Sequence, residues 1–161
     1  TAKAFSLDNL IHECLASVEP VARSFGLRLE YKCVADAELR ADRARLHQVL
    51  ASLFYFGIRQ TREGGIELVL SRANQDSVPG VQICLADTSP GIAEEQLAGL
   101  FDTHYQLVLN NNRDLPVSAL TLALAAKLVH MHGGDIKADS SWGQGTRFLI
   151  WLPLEPPAQQ D

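Results

Sequence analysis

Apolar residues recur at helical spacing from Leu10 and Ile11 through Cys14, Leu15, Val18, Val21 and Ala22 to Phe25. That period predicts an amphipathic helix, with Ser6 or Asp8 as its N-cap. Pro20 falls inside the pattern and predicts a kink, because proline removes a helical donor and crowds the preceding turn. Gly26 is a stop signal, and residues 27–34 then alternate apolar and polar as a half-buried strand does. A second helix is expected from Asp42, turning Leu46, Val49, Leu50, Leu53 and Phe54 inward and ending before Gly64-Gly65. Alternation returns over 66–73 and 81–86, either side of Pro79-Gly80, which predicts a hairpin. Residues 93–101 fit a short amphipathic helix, whereas 106–116, with Asn110, Asn111 and Asn112, show no period and predict a loop. A largely apolar helix is expected over 117–132, closed by Gly133-Gly134. Two last strands, 135–140 and 146–154, flank Gly143-Gln144-Gly145. Together these elements predict an α/β sandwich of the α+β kind: a mixed, mostly antiparallel sheet covered on one face by helices. It fills 1–154 as one domain, and the Pro/Gln-rich 155–161 is expected to be a flexible tail.

Composition narrows the partners more than the fold. The 161 residues are 47% hydrophobic and 20% charged, which suits one packed domain and excludes a disordered chain. A net charge of −5 offers no basic footprint for nucleic acid. It leaves polyphosphate binding open, since backbone amides and a metal ion can hold phosphate. No apolar run approaches the roughly 18 residues of a membrane span, so no membrane contact is expected of this domain. Cys14, Cys33 and Cys84 are odd in number and lack C-x-x-C spacing. That argues against a disulfide framework or a zinc site and for a reducing cytoplasm. His130 and His132 stand two apart, so on a helix their rings diverge by about 200° and share no metal. The chain starts at Thr1 without a Met or a leader-like segment, and is expected to be a piece of a longer protein.

Three segments carry a resemblance. Asp87-Thr88-Ser89-Pro90-Gly91-Ile92 directly follows a strand, Leu100 to Gln106 includes Phe101 and Tyr105, and Gly143-Gln144-Gly145-Thr146 joins the last two strands. In this order they resemble the D-x-G-x-G box, Phe box and final glycine box of the ATP-binding catalytic domain of sensor histidine kinases. That domain has the Bergerat fold shared with gyrase and Hsp90-type ATPases. Similar stretches at 5–7, 41–50 and 127–134 extend the resemblance over nearly the whole chain. It implies that Asp87 accepts a hydrogen bond from an adenine amino group, that Gly91 lets the backbone approach the ring, and that Gly145 and Thr146 support the pocket. It places Tyr105 at the same site. Taken alone, 87–91 is equally a turn rich in turn-forming residues, and Gly143-Gln144-Gly145 equally a tight turn. Ser89 stands where the family has glycine.

The phosphate half departs from the pattern. The resemblance puts Ser52 and Phe56 at the customary asparagines of the N box and Arg59 at its lysine. Phe56 therefore occupies the position that binds magnesium, and phenylalanine offers no oxygen to an ion that demands oxygen ligands. None of the glycines expected ahead of the last helix is present in Val117-Ser118-Ala119-Leu120-Thr121-Leu122-Ala123, and His104 replaces the second Phe of the Phe box. His12-Glu13 lacks the surroundings of a phosphoacceptor and is expected to be a plain helical pair. The resemblance thus implies a histidine protein kinase domain that binds ATP or ADP weakly or not at all, holds no magnesium, and has no catalytic residue to name. It would act through the dimerisation and phosphoacceptor helices of its parent chain or of another sensor kinase, and through a response-regulator receiver domain. The alternatives are a working kinase domain, with Asn110, Asn111 or Asn112 holding magnesium, and an adenine-nucleotide sensor without turnover.

Overall fold

The structure, a computed structural model, describes residues 3–102, 119–141 and 143–157. Eleven elements are assigned among them. Strand β1 (Lys3–Ser6) runs straight into helix α1 (Leu7–Ser24), where the Ser6 hydroxyl accepts the N–H of Asn9 at 3.2 Å and so caps the first turn. The helix continues unbroken through Pro20, whose ring lies on the exposed side. Leu10, Ile11, Cys14, Val18 and Ala22 form its buried stripe. Strand β2 (Arg28–Cys33) follows, then β3 (Glu38–Ala41).

β1 and β3 pair antiparallel as a separate two-stranded sheet, which the hydropathy pattern did not predict. Four residues carry too little alternation to register. Asp36 fixes this pairing by accepting the Ser6 hydroxyl at 2.8 Å and the N–H groups of Asp8 and Ala37 at 3.0 and 2.7 Å. Burial pushes its carboxyl up, yet these three donors and the charge of Arg72 prevail and hold it below its ordinary value.

Asp42 caps α2 (Arg43–Gln60) by accepting the Arg45 N–H at 3.2 Å. Strands β4 (Gly65–Arg72) and β5 (Gly80–Asp87) form the expected antiparallel hairpin. The short helix α3 (Glu94–Leu97) corrects the expectation of a helix over 93–101. After Ala98 the donors at Gly99, Leu100 and Asp102 reach back three residues instead of four, so the chain tightens into successive turns. Helix α4 (Ala119–Met131) and strands β6 (Asp135–Ser141) and β7 (Gly145–Pro153) complete the chain order. The main sheet has the order β2-β4-β5-β7-β6, with β2 parallel to β4 and every other pairing antiparallel.

Alternation decides which face is covered. Ile66, Leu68 and Leu70 of β4, Val81, Ile83 and Leu85 of β5, and Phe148, Ile150 and Leu152 of β7 point the same way and are buried. They meet Leu46, Val49, Leu50 and Leu53 of α2 and Leu128 and Val129 of α4 in one hydrophobic core. Residues 103–118, with the expected loop at 106–116 and the start of the expected last helix, lie outside the described residues. Of the expected tail, 155–157 are described, Glu155 facing Arg40 at 3.8 Å, and 158–161 are not.

Candidate functional site

The last buried position on the helix-covered side of β5 is a carboxylate. Asp87 continues the inward row of Val81, Ile83 and Leu85, yet it is 5% exposed and has no cationic partner among the described residues. One oxygen is fully used. Oδ1 accepts the N–H of Ser89 at 2.9 Å and of Thr146 at 3.1 Å. The other, Oδ2, is buried and has no hydrogen-bond partner among the described residues. Burial pushes this carboxyl above its ordinary value, while the Ser89 hydroxyl and the two backbone donors pull against that rise. An unsatisfied buried acceptor carries its full desolvation cost, so Oδ2 is the atom a ligand donor would stabilise most.

The segment after β5 wraps against the β6–β7 turn. Gly91 has φ +95°, and a Cβ there would stand 2.5 Å from the Ser141 carbonyl oxygen. Gly145 has φ +90°, and a Cβ there would run into the Asp87 carbonyl. Both glycines are thus required for the approach of the two turns, independently of any ligand. Gly143 N–H donates to the Pro90 carbonyl at 2.6 Å and Ile92 N–H to the Ser140 hydroxyl at 2.7 Å, closing the corner. A cleft lined by Asp139, Ser140, Ser141, Gln144, Gly145 and Thr146 opens beside it. Ser140 was not singled out by sequence reasoning. The signal available was its place directly across from Thr146 in the β6–β7 ladder.

α2 supplies the opposite wall. Gly57 sits in the helix interior, and a Cβ there would lie 3.7 Å from Asp87 Oδ2, so the unpartnered oxygen faces a place where the helix has no side chain. Phe56, one residue earlier, is buried edge-on against Phe148 of β7, with ring centroids 5.6 Å apart. The Phe101 ring also packs on Phe148, with centroids 6.0 Å apart. Ser52 is buried too, its hydroxyl turned back to the Gln48 carbonyl at 2.8 Å. Arg59 is half-buried one turn further on.

Asp87, Gly91, Gly145 and Thr146 are therefore brought together at one corner, and Ser52, Phe56 and Arg59 line one stripe of α2. Tyr105, His104 and Asn110 to Asn112 lie outside the described residues, as do the side chains of Ala119, Leu120 and Thr121. The buried acceptor and the open backbone around it fit a flat, amine-bearing base. On the α2 stripe, Phe56 offers carbon, while the Ser52 hydroxyl donates to the Gln48 carbonyl and keeps its oxygen lone pairs. Among the described residues, no three His, Cys, Asp or Glu side chains gather to hold a metal. No described helix is long and apolar enough to cross a membrane.

A family model of the histidine kinase-, DNA gyrase B-, and HSP90-like ATPases matches residues 41–156. The chain is 31% identical over 153 residues to the autoinducer 2 sensor kinase/phosphatase LuxQ of Vibrio cholerae, a match covering 94% of this chain and 18% of that protein. It is likewise 31% identical over 153 residues to the sensor histidine kinase ZraS of Escherichia coli, covering 94% of this chain and 31% of that one. Full-length ShkA in complex with AMPPNP matches 99% of this chain and 32% of its own, with a TM-score of 0.81 at 23% identity. Histidine kinase ThkA in complex with response regulator protein TrrA matches 98% of this chain and 43% of its own, with a TM-score of 0.77 at 23% identity. The chain thus spans less than a third of the length of these two curated relatives.

Proposed function

The chain belongs to the histidine kinase-, DNA gyrase B-, and HSP90-like ATPase family, as an ATP-binding domain of the sensor histidine kinase type, and we propose that it is a degenerate one. It keeps the adenine corner, lacks the magnesium and triphosphate site, and works by regulating signalling through protein contacts. The observation that carries this reading is Phe56, a ring packed on Phe148 at the position where the family's magnesium-binding asparagine belongs. Magnesium in such a site takes its ligands as oxygens at near-octahedral geometry. A phenyl ring there removes the protein's share of that shell and fills the space with hydrocarbon.

The unpartnered Oδ2 of Asp87 favours a second, compatible reading, in which an adenine nucleotide binds without being turned over and reports its own concentration. Residues that would hold the base are Asp87, Thr146 and the backbone at Gly91 and Gly145. The partners proposed are the dimerisation and phosphoacceptor helices of the parent chain or of another sensor kinase. A receiver domain is a further one, on the analogy of ThkA with TrrA. The compartment proposed is the cytoplasm, in keeping with three free thiols.

Calorimetric titration with ADP and ATP, each with and without magnesium, tests the reading. The expected result is weak binding of both nucleotides that magnesium leaves unchanged, and no phosphoryl transfer to an added phosphoacceptor domain. Low-micromolar ATP binding that depends on magnesium would overturn it.

A further inference from the structure

We propose that an adenine amine and a proton compete for one atom of this site, Asp87 Oδ2, so that docking the base expels the proton and acid turns the base away. The proposal deepens the adenine reading and rests on it. It begins from the unequal use of the two carboxyl oxygens. A carboxyl oxygen offers about two lone-pair sites, and those of Oδ1 are taken by the N–H of Ser89 at 2.9 Å and of Thr146 at 3.1 Å. A proton on this carboxyl therefore belongs on Oδ2, which has no hydrogen-bond partner among the described residues. Oδ2 is also the atom left to accept an amine N–H. Once protonated, it presents a hydrogen to that N–H, and two donors meet.

The surroundings decide how firmly the proton is held. α2 faces Oδ2 with the bare backbone of Gly57, where a Cβ would stand 3.7 Å away. β4 places Ile66 across from Asp87 in the ladder, β7 brings Thr146, and the turn after β5 brings Ser89. The charged residues next along the chain from these positions are Arg59 on α2, Glu67 on β4 and Arg147 on β7. None of them sets the proton affinity of Asp87. Burial raises it, and hydrogen bonds from Ser89 and Thr146 hold it back.

A ligand changes this balance in one direction. At 5% exposure the carboxyl has little water left to lose when a base covers it. The added N–H is then the main change, and a hydrogen bond to the charged form favours that form. Docking the amine thus lowers the proton affinity, and a proton leaves wherever the empty site held one. Above the raised value of the empty site the carboxylate is already bare, and affinity for adenine is complete. As pH falls below that value the affinity is lost.

The test uses the full 161-residue chain without magnesium, from mild alkali to mild acid. It compares ADP with purine riboside diphosphate, in which hydrogen replaces the amine and the phosphates are the same. At the alkaline end the wild type is expected to favour ADP by about tenfold or more, the worth of a hydrogen bond to a charged group. Toward acid that preference is expected to shrink to equal binding, while titration of the shared phosphates cancels between the two ligands. Calorimetry in two buffers of different ionisation enthalpy is expected to show more proton release with ADP than with the analogue as the preference fades. Asp87→Asn, whose amide nitrogen takes the place of a protonated Oδ2, is expected to bind both ligands alike at every pH. The comparison of ligands needs no variant. A preference for ADP that stays constant into acid would overturn the competition and leave the adenine reading standing. Equal binding of the two ligands by the wild type across the whole range, or no binding of ADP, would overturn both.

Discussion

Asp87 combines two opposed demands in one side chain. Oδ1 is held by two backbone donors, which favour the carboxylate, while burial favours the neutral acid and dominates. A carboxyl raised in the folded state binds its proton more tightly there than in the unfolded chain, so its contribution to stability is complete below its ordinary value. That contribution is lost as pH rises through the raised one. Asp87→Asn keeps an oxygen for the two N–H donors and never ionises. The variant is expected to melt above the wild type at neutral pH, by about 2–4 °C for each kcal/mol, with the difference closing in mild acid. A series of melting curves across that range checks it, and a wild-type advantage at neutral pH would contradict the assignment. Asp36, held low by its donors, titrates in the opposite sense but is common to both proteins and cancels. From sequence, Asp87 was legible because a resemblance pointed to it. Ser140 was not, because its hydroxyl reaches the corner only through the β6–β7 register and the Ile92 N–H, and no motif encodes that.

Among the elements, the two long helices were legible because both begin at a side chain that caps them, Ser6 and Asp42, and both carry an unbroken apolar stripe. The hairpin of β4 and β5 was legible from strict alternation. What escaped were elements too short to show a period. β1 and β3 exist because Asp36 gathers the Ser6 hydroxyl and two backbone donors, and α3 stops early because the following donors pair three residues back. Pro20 was expected to kink α1; the helix runs on through it as one element, with the ring on its exposed side. The bond it deletes is not recovered by that placement. Pro20→Ala is therefore expected to stabilise the protein by at least about 1 kcal/mol, since an interior helical proline costs about 3 kcal/mol. Urea denaturation measures it, and a destabilised variant would show that the proline is matched to the curvature of α1.

At the scale of the whole molecule, the retained core and the altered α2 stripe are one arrangement. Phe56 belongs to the same buried cluster as Phe148, Ile150 and Leu152, so the residue on which the proposed degeneracy rests also packs α2 against the sheet. The sheet itself is unevenly joined. β5 and β7 are paired on both sides, whereas β2 lies at an edge, bound on one side to β4 by the sheet's parallel ladder and reached through α1. Parallel pairing is slightly weaker per residue than antiparallel pairing, and parts of a domain open separately when their attachments differ. In deuterated buffer, amides of β2 are expected to exchange well before those of β5 and β7, and uniform protection across the sheet would refute this. The corner carrying Asp87 belongs to the strands expected to exchange slowly, so β2 can open and return while that carboxylate keeps its place.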